Sequence, residues 1–262
     1  MNKIAIPQAA EKAGYRNLVF NDDFDDASTV DWKDTRKPGF NWYIDRAFGW
    51  PSLVDGDVTI KDSVLTVAQE KSCANWGVSS YSVHGDTGHA YRFGYFEARL
   101  RFDINKKKSE VKGFPAWWCF SVAHSTDRND EHWSELDFFE GMTNPKADGK
   151  YTGTYVATLH DWTREPGEDP TNHQNPNNWH DNVVTEGWHD YGCLWAPGVF
   201  EWYYDGQLLS RVTYSADGRP EPADDNNFEG CYSFMETEEM MLILGSCREW
   251  PMEVDWVRVW QA

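Results

Sequence analysis

The sequence predicts an all-β fold of two packed antiparallel sheets, and three observations support this prediction. Segments that alternate apolar and polar residues recur at short intervals along the 262 residues, which is typical of strands with one buried face. Aromatic residues make up 16% of the chain, with 15 tryptophans, enough for a large core. No segment sustains a helical period over three turns. A sandwich can use a chain of this length as one domain.

The predicted elements follow in chain order. A helical turn is expected at residues 8–14 within an N-terminal extension, 1–14, and a single domain is expected over 15–262. An Asp205-Gly206 turn predicts a hairpin, a second helical turn is expected at 236–241, and the Pro-, Asn- and Gly-rich residues 161–188 predict a long binding loop. The clearest strands are 58–60, 64–67, 95–102, 200–204 and 252–260.

Charge and composition exclude several functions. The chain has 24 Lys and Arg against 43 Asp and Glu, a net charge of −19, which disfavours nucleic acid and acidic membranes as partners. The basic run Lys106–Lys108 is flanked by acids and is interpreted as a solvated loop. No apolar stretch is long enough for a membrane helix, and the five cysteines show neither metal spacing nor a disulfide framework. We expect a monomer.

Three carboxylates lie on residues 133–141, which otherwise have the composition of a buried strand. Residues two apart share a face of a strand, so Glu135 and Asp137 point the same way. Glu140 would point the opposite way in a regular strand. A β-bulge at the doublet Phe138-Phe139 would return Glu140 to the face of the other acids, and bulges occur next to active sites.

Clustered acids oppose folding because like charges raise one another's pKa. One interpretation is a solvent-facing strand with basic residues opposite, but the segment contains no Lys or Arg. The other is glycoside hydrolysis with retention, in which two carboxyls roughly 5 to 5.5 Å apart act as nucleophile and acid/base. Asp137 between them could hydrogen-bond the nucleophile and tune its charge.

The segment Glu135-Leu136-Asp137-Phe138-Phe139-Glu140 resembles the E-x-D-x-x-E motif of glycoside hydrolase family 16. Other segments resemble the same family in family order, from its opening strand to its closing one. They are Tyr15–Phe24, Phe93–Arg99, Gly113–Trp118, Trp188–Gly192 with the hairpin after it, and Val254–Trp260.

The resemblance implies a β-jelly roll whose concave sheet forms a cleft for a polysaccharide, cut internally with retained configuration. It implies that Glu135 is the nucleophile, Asp137 the assisting acid and Glu140 the acid/base. The bulged spacing is similar to that of the laminarinase, β-glucanase, agarase and carrageenase branches. It differs from that of the xyloglucan transglycosylase and lichenase branches.

Aromatic rings are the usual platform for sugars. Alternation allows only one of Trp117 and Trp118 to line the cleft, and family position favours Trp118. His160 and Trp162 share a strand face and resemble a His-x-Trp of the family beside its acids; His160 is either a structural histidine or a hydrogen-bond partner of the acid/base or the sugar. Trp133 shares the face of Glu135 and is a candidate subsite wall.

The resemblance also implies properties outside the cleft. Catalysis needs no cofactor, but the family commonly holds a structural calcium, for which Asp255 and a residue near Asp23 are the candidates. No signal peptide is visible, whereas family membership implies a secreted or periplasmic protein.

The expected function is a retaining endo-glycosidase acting on a β-1,3- or mixed-linkage β-glucan. A β-galactanase of the agarase or carrageenase type is the alternative within the family, although sulfated polymers call for basic residues. A non-catalytic glycan-binding jelly roll is the alternative outside it. Substrate assignment is weakened where residues 241–250 and Ser134 depart from the family pattern.

Overall fold

The computed structural model describes residues 4–45, 56–68, 76–103, 114–126, 131–145, 151–164, 167–180, 183, 185–214, 220–221, 235–246 and 249–262. Within these ranges, no helix is both long and apolar enough to span a bilayer. The basic run Lys106–Lys108 and three of the cysteines, Cys73, Cys231 and Cys247, lie outside the described residues. Cys119 and Cys193 are buried free thiols.

The described elements are almost all strands. In chain order they are α1 (Gln8–Ala13), β1 (Asn17–Asp22), a 3-10 turn (Ala27–Thr29), β2 (Val30–Asp31), β3 (Trp42–Tyr43), β4 (Val58–Lys61), β5 (Val64–Val67), β6 (Trp76–Ser79), β7 (Tyr81–Ser82), β8 (Thr87–Gly88), β9 (Gly94–Phe102), β10 (Ala116–Ser121), α2 (Val122–Thr126), β11 (His132–Pro145), β12 (Tyr151–Thr163), β13 (Thr171–His180), β14 (His189–Ala196), β15 (Val199–Tyr204), β16 (Gln207–Tyr214), β17 (Pro220–Glu221), β18 (Met240–Ser246) and β19 (Met252–Gln261).

These strands form two large sheets and one small hairpin. Sheet A has the order β17-β16-β15-β14-β9-β19-β5-β4, with β1 also paired to β19. Sheet B has the order β13-β12-β11-β10-β18-β6-β3-β2, and β7 and β8 form the hairpin. The pairs within both sheets are antiparallel, except that β2 and β3 run parallel.

The two sheets pack face to face through aromatic side chains. Phe96 of sheet A stacks on Phe138 of sheet B, with ring centroids 5.1 Å apart. Trp202 of sheet A donates its indole N–H to the backbone carbonyl of Asp137 at 3.0 Å. The acid-bearing strand is therefore held from behind by the core.

A β-bulge interrupts β11 at the predicted place. On β10, the partner of Asp137 is Trp118 and the partner of Phe139 is Trp117, so Phe138 has no partner there. The pairing of β11 with β12 shifts over the same residues. The bulge predicted from the phenylalanine doublet is confirmed.

The bulge sends two consecutive phenylalanine rings into the core. Phe138 stacks on Phe96, while Phe139 packs on Tyr191 of β14 with centroids 4.3 Å apart. Because both rings point inward, the next residue, Glu140, returns to the face opposite the core.

The five strands predicted from alternation are all present, and Asp205-Gly206 forms the two-residue turn of the β15–β16 hairpin with positive φ at both positions. The long loop predicted at 161–188 is wrong, because β12 continues to Thr163 and residues 171–180 pair with it as β13. In the described part of sheet B, β13 is the last strand. Last strands are often polar and tolerate Pro, so their composition resembles that of a loop.

The predicted N-terminal helical turn is present as α1, which ends at Gly14 with a left-handed φ of 85°. Ala10 of this helix is buried against a cluster that includes Tyr15 and Tyr95. The second predicted helical turn, at 236–241, does not include its last two residues, because strand β18 begins at Met240.

Replacing Phe138 with alanine should lower the free energy of unfolding by about 3–5 kcal/mol, because it removes a fully buried ring from between the sheets. Urea unfolding followed by fluorescence measures this loss. The control is Leu208→Ala, whose side chain is 51% exposed and whose replacement should change stability by no more than about 0.5 kcal/mol. Equal effects of the two substitutions would contradict the inward position of Phe138.

Candidate active site

The bulge brings three carboxyl groups and one imidazole to the same face of sheet B. Glu135 lies opposite His160 across the β11–β12 pair, and Asp137 lies opposite Thr158. Thr158 donates its hydroxyl to Glu140 Oε2 at 3.1 Å, which places Glu140 on this face as well. The three acids therefore converge, as the motif predicts.

Glu135 is the most accessible of the three acids. Its side chain is partly exposed, whereas Asp137 and Glu140 are only 3% and 7% exposed. The indole N–H of Trp162 donates to Glu135 Oε2 at 2.8 Å. This hydrogen bond fixes one carboxylate oxygen and leaves the other available for chemistry.

Asp137 and His160 form a buried pair. His160 Nε2 lies 2.8 Å from Asp137 Oδ2, and His160 Nδ1 lies 3.0 Å from the side-chain oxygen of Asn172 on β13. Each ring nitrogen thus faces an oxygen acceptor, which both nitrogens can satisfy as donors only in the imidazolium form.

The charges around His160 also favour its imidazolium form. Burial by itself would lower the pKa of His160, but the charge of Glu135, the contact with Asp137 and the charge of Glu140 outweigh it and raise the pKa to about 10. His160 therefore supplies a positive charge among three acids at neutral pH.

Loss of water around Glu135 is the main cause that raises its pKa to about 7. The positive charge of His160 and the hydrogen bond from Trp162 both act in the opposite direction, while Asp137 raises the value further. Near neutral pH, this carboxyl is close to the point at which it ionises.

Burial also raises the pKa of Glu140, and it does so well above the usual range. The charges of Asp137 and Glu135 add to this effect, whereas His160 and the hydroxyl of Thr158 oppose it. Burial and an ionised Glu135 therefore both favour the protonated form of Glu140.

Trp118 lies on the acid-bearing face, opposite Asp137, while its neighbour Trp117 packs on Phe138 in the core with centroids 4.8 Å apart. This arrangement agrees with the choice of Trp118 over Trp117. The Trp118 ring is only 7% exposed, however, and packs edge-on against Phe120 at 5.8 Å.

Trp133 lies on the expected face but does not form an open subsite wall. It is 3% exposed, because the ring of His124 stacks on it at 3.7 Å. Trp162, which stands parallel to Trp133 at 6.1 Å, is partly exposed. Of the predicted tryptophans, Trp162 is therefore the one that combines an accessible ring with a contact to an acid.

Sequence reasoning missed three residues beside the acids: Thr158 bonds Glu140, Asn172 contacts His160, and His124 stacks on Trp133. Thr158 lies two positions before His160 and could have been found from alternation along β12. Asn172 lies in the segment taken for a loop, so nothing indicated that it reaches His160. His124 follows β10 on the short helix α2, and its stacking on Trp133 has no sequence signal.

Among the described residues, one group of three side chains could hold a metal ion, namely Glu135, Asp137 and His160, whose ligand atoms lie within 4.8 Å of one another. In this structure, His160 and Asp137 contact each other directly at 2.8 Å. This close contact pairs the two groups with each other, so we describe the three side chains as an acid–base cluster.

Two acids near the expected structural calcium site, Asp23 and Asp255, face arginine side chains. Asp255 Oδ2 lies 3.6 Å from Arg99 Nε, and Asp23 Oδ1 lies 2.7 Å from Arg258 Nη2. Calcium takes about six to eight oxygen ligands, whereas each of these carboxylates faces a guanidinium. We therefore derive no calcium site from Asp255.

Comparison with known proteins agrees with the geometry. A family model described as "Glycosyl hydrolases family 16" matches residues 53–228, whereas no curated protein matches the chain in sequence.

Solved structures share the fold at low sequence identity. A laminarinase from Flavobacterium sp. UMI-01 has a TM-score of 0.56 at 14% identity, over 94% of this chain and 100% of that chain. The laminarinase catalytic domain from Thermotoga maritima MSB8 has a TM-score of 0.56 at 17% identity, over 94% and 98%. Porphyranase B from Zobellia galactanivorans has a TM-score of 0.53 at 16% identity, over 94% and 92%. The predicted jelly roll is confirmed.

The free energy of unfolding should fall as the pH rises from about 4.5 to about 7. Folding raises the pKa of Glu135 from 4.5 to about 7, so in this window the folded state binds more protons than the unfolded state, and stability decreases with pH. Urea unfolding at several pH values measures the slope. Glu135→Gln should reduce it.

The matched control for this slope is Glu11→Gln, an exposed glutamate on α1, which should keep the wild-type pH dependence. An unchanged slope in Glu135→Gln would show that burial does not hold a proton on Glu135.

Proposed function

The chain belongs to glycoside hydrolase family 16, and from this membership we propose that it is a retaining endo-glycosidase that cleaves internal bonds of a β-1,3- or mixed-linkage β-glucan. Family membership makes the chain a glycoside hydrolase with a polysaccharide substrate. The proposal adds the stereochemistry, the internal cleavage, the linkage and the roles of individual residues.

The observation that supports the proposal best is the unequal environment of Glu135 and Glu140. Glu135 is partly exposed, accepts the Trp162 hydrogen bond and faces the His160 cation, all of which suit a carboxylate. Glu140 is buried, and its pKa is raised well above the usual range. A retaining mechanism needs one ionised and one protonated carboxyl on the same face.

In the first step, Glu140 donates its proton to the glycosidic oxygen as the bond from that oxygen to the anomeric carbon breaks. The free oxygen of Glu135 attacks the anomeric carbon from the opposite side and forms a covalent glycosyl ester. The part of the glycan beyond the cleaved bond leaves with the proton.

Formation of the ester removes the negative charge of Glu135, and that charge is one cause of the raised pKa of Glu140. The pKa of Glu140 therefore falls in the intermediate, and its carboxylate can take a proton from water. The resulting hydroxide attacks the anomeric carbon and releases Glu135 with its electron pair. Two inversions retain the configuration, and Glu140 regains its proton.

Asp137 and His160 set the charge of the site between these steps. The His160 cation lowers the pKa of Glu135, and the negative charge of Asp137 raises it. The two groups lie 2.8 Å apart and act on Glu135 in opposite directions. We assign to this pair the role of keeping the nucleophile near its ionisation point without an uncompensated buried charge.

The acidic character of the chain supports a neutral glycan over a sulfated one. The net charge is −19, and binding sulfate groups calls for Arg or Lys. The partly exposed Trp162 ring offers a stacking face beside the nucleophile. A β-galactan such as agarose remains the alternative substrate, and a glycan-binding protein without activity remains the alternative function.

Glu135→Gln and Glu140→Gln should each lower the release of reducing ends by at least about 100-fold, because general acid–base catalysis alone contributes 10²–10⁴-fold. With a nitrophenyl glycoside, whose leaving group needs no proton, Glu140→Gln should keep more activity than Glu135→Gln. Full activity of both amide variants would leave the acids without a catalytic role and favour a different site.

A panel of laminarin, lichenan, agarose and carrageenan should show the highest activity on laminarin or lichenan. Chain-length analysis should show a rapid fall in polymer size, as internal cleavage requires, and proton NMR should show the β-anomer as the first product. Cleavage of the sulfated polymer alone would contradict the charge argument, and cleavage of agarose alone would favour the galactanase alternative.

A further inference from the structure

Three parallel rings lead from the short helix α2 to the Glu135 carboxylate. The His124 ring stacks on Trp133 with centroids 3.7 Å apart and an angle of 11°. Trp133 stands parallel to Trp162 at 6.1 Å and 5°. Trp162 then donates its indole N–H to Glu135 at 2.8 Å. We call His124, Trp133 and Trp162 the ring stack.

The outer end of the ring stack is held firmly. His124 is 4% exposed, and its backbone N–H is bonded to Ser121 Oγ at 3.2 Å. Ser121 in turn donates to Glu238 Oε1 at 3.0 Å, and Glu238 Oε2 accepts the backbone N–H of Ser134 at 3.0 Å. Glu238 thus ties the start of α2 to the strand that carries Trp133 and Glu135.

The inner end of the ring stack depends on this support. Trp133 and Trp162 are cross-strand partners, and the guanidinium of Arg164 lies 5.0 Å from the Trp133 ring centroid. Trp162 is partly exposed, and the ring of His160 also stacks on it, with centroids 5.9 Å apart. A flat ring behind Trp133 therefore limits how far both indoles can tilt, and a small tilt would move the Trp162 N–H away from Glu135.

We propose that His124 is a positioning residue, which fixes the Trp162 indole through Trp133 and thereby holds the Glu135 carboxylate in its reactive orientation. The inference rests on the proposed role of Glu135 as nucleophile, and it extends the functional residues beyond the motif strand and its neighbour.

The proposal makes Glu135 a reporter, because the Trp162 hydrogen bond is one of the causes that lower its pKa. The other charged groups that act on Glu135 are Asp137 and Glu140 on its own strand and His160 on β12. Of these groups, His160 also stacks on Trp162, with centroids 5.9 Å apart. A movement of Trp162 caused by a change at His124 should therefore reach Glu135 through the Trp162 hydrogen bond and through His160.

The test compares His124→Leu, which fills space without a flat ring, with His124→Phe, which restores the ring. In His124→Leu, the acidic limb of kcat/KM against pH should move up by roughly 0.5 to 1 pH unit, since a hydrogen bond to a charged group is weakened. The value of kcat should fall about tenfold with little change in KM. His124→Phe should stay within about twofold of wild type.

Two controls separate this role from a structural one. Leu208→Ala, on the exposed surface, should leave the pH profile unchanged. In a Trp162→Phe background, which lacks the indole N–H, His124→Leu should add no further pH shift. A His124→Leu enzyme that loses stability and activity while its acidic limb stays in place would overturn the proposal.

A measurement without substrate distinguishes this inference from the proposed function. Carbon-13 NMR of labelled glutamate carboxyls, assigned by comparison with Glu135→Gln, should show the Glu135 titration moving upward in His124→Leu. If the Glu135 titration shifts in a protein that cleaves no glycan, the positioning role of His124 is supported and the glycosidase proposal is rejected. An unchanged titration in an active enzyme would reject the ring stack alone.

Discussion

One extra residue in β11 determines the geometry of the whole site. Without the bulge at Phe138, the strict alternation of a β-strand would place Glu140 in the core and one of the two phenylalanines on the outer face. With it, both rings fill the space between the sheets, and Glu140 joins the other acids. The bulge therefore determines both the packing of the core and the convergence of the acids, since the rings that stabilise the sandwich also maintain the bulge.

Three acids on one face of the sheet repel one another, and groups on the strands β12 and β13 reduce this repulsion. Three buried or half-buried carboxyls would repel one another, and burial raises the pKa of both glutamates. β12 supplies one cation, His160, and β13 supplies the acceptor, Asn172, that keeps the second ring nitrogen of this cation bonded. The two glutamates therefore differ: Glu135, nearer to water, accepts the Trp162 hydrogen bond, while burial favours the protonated form of Glu140.

The parts of the fold that alternation controls were predictable from sequence, including the strands, the Asp205-Gly206 hairpin and the bulge itself. The polar strand β13 was not, because strands at a sheet edge resemble loops in composition. In the site, the E-x-D-x-x-E spacing and the shared face of His160 and Trp162 identified the central residues. Asn172 and His124 were missed, since a strand that resembles a loop and a separate helix leave no periodic signal at the site. Thr158 was missed although alternation along β12 places it on the face of His160. The burial of Trp133 was also missed, because it depends on stacking with His124 of the separate helix α2.

The E-x-D-x-x-E motif does not by itself fix the positions of the carboxylate groups. A strand register places Cα atoms and assigns faces, but it leaves the rotamers of a long glutamate side chain free, and catalysis requires the carboxylate to be held to within about half an ångström. In this protein that last constraint comes from groups outside the motif. Trp162 bonds one oxygen of Glu135, Thr158 bonds Glu140, and Trp202 holds the backbone of Asp137 from behind. In the proposed mechanism the motif supplies the acids, while the aromatic and polar residues packed around it determine how accurately they are placed.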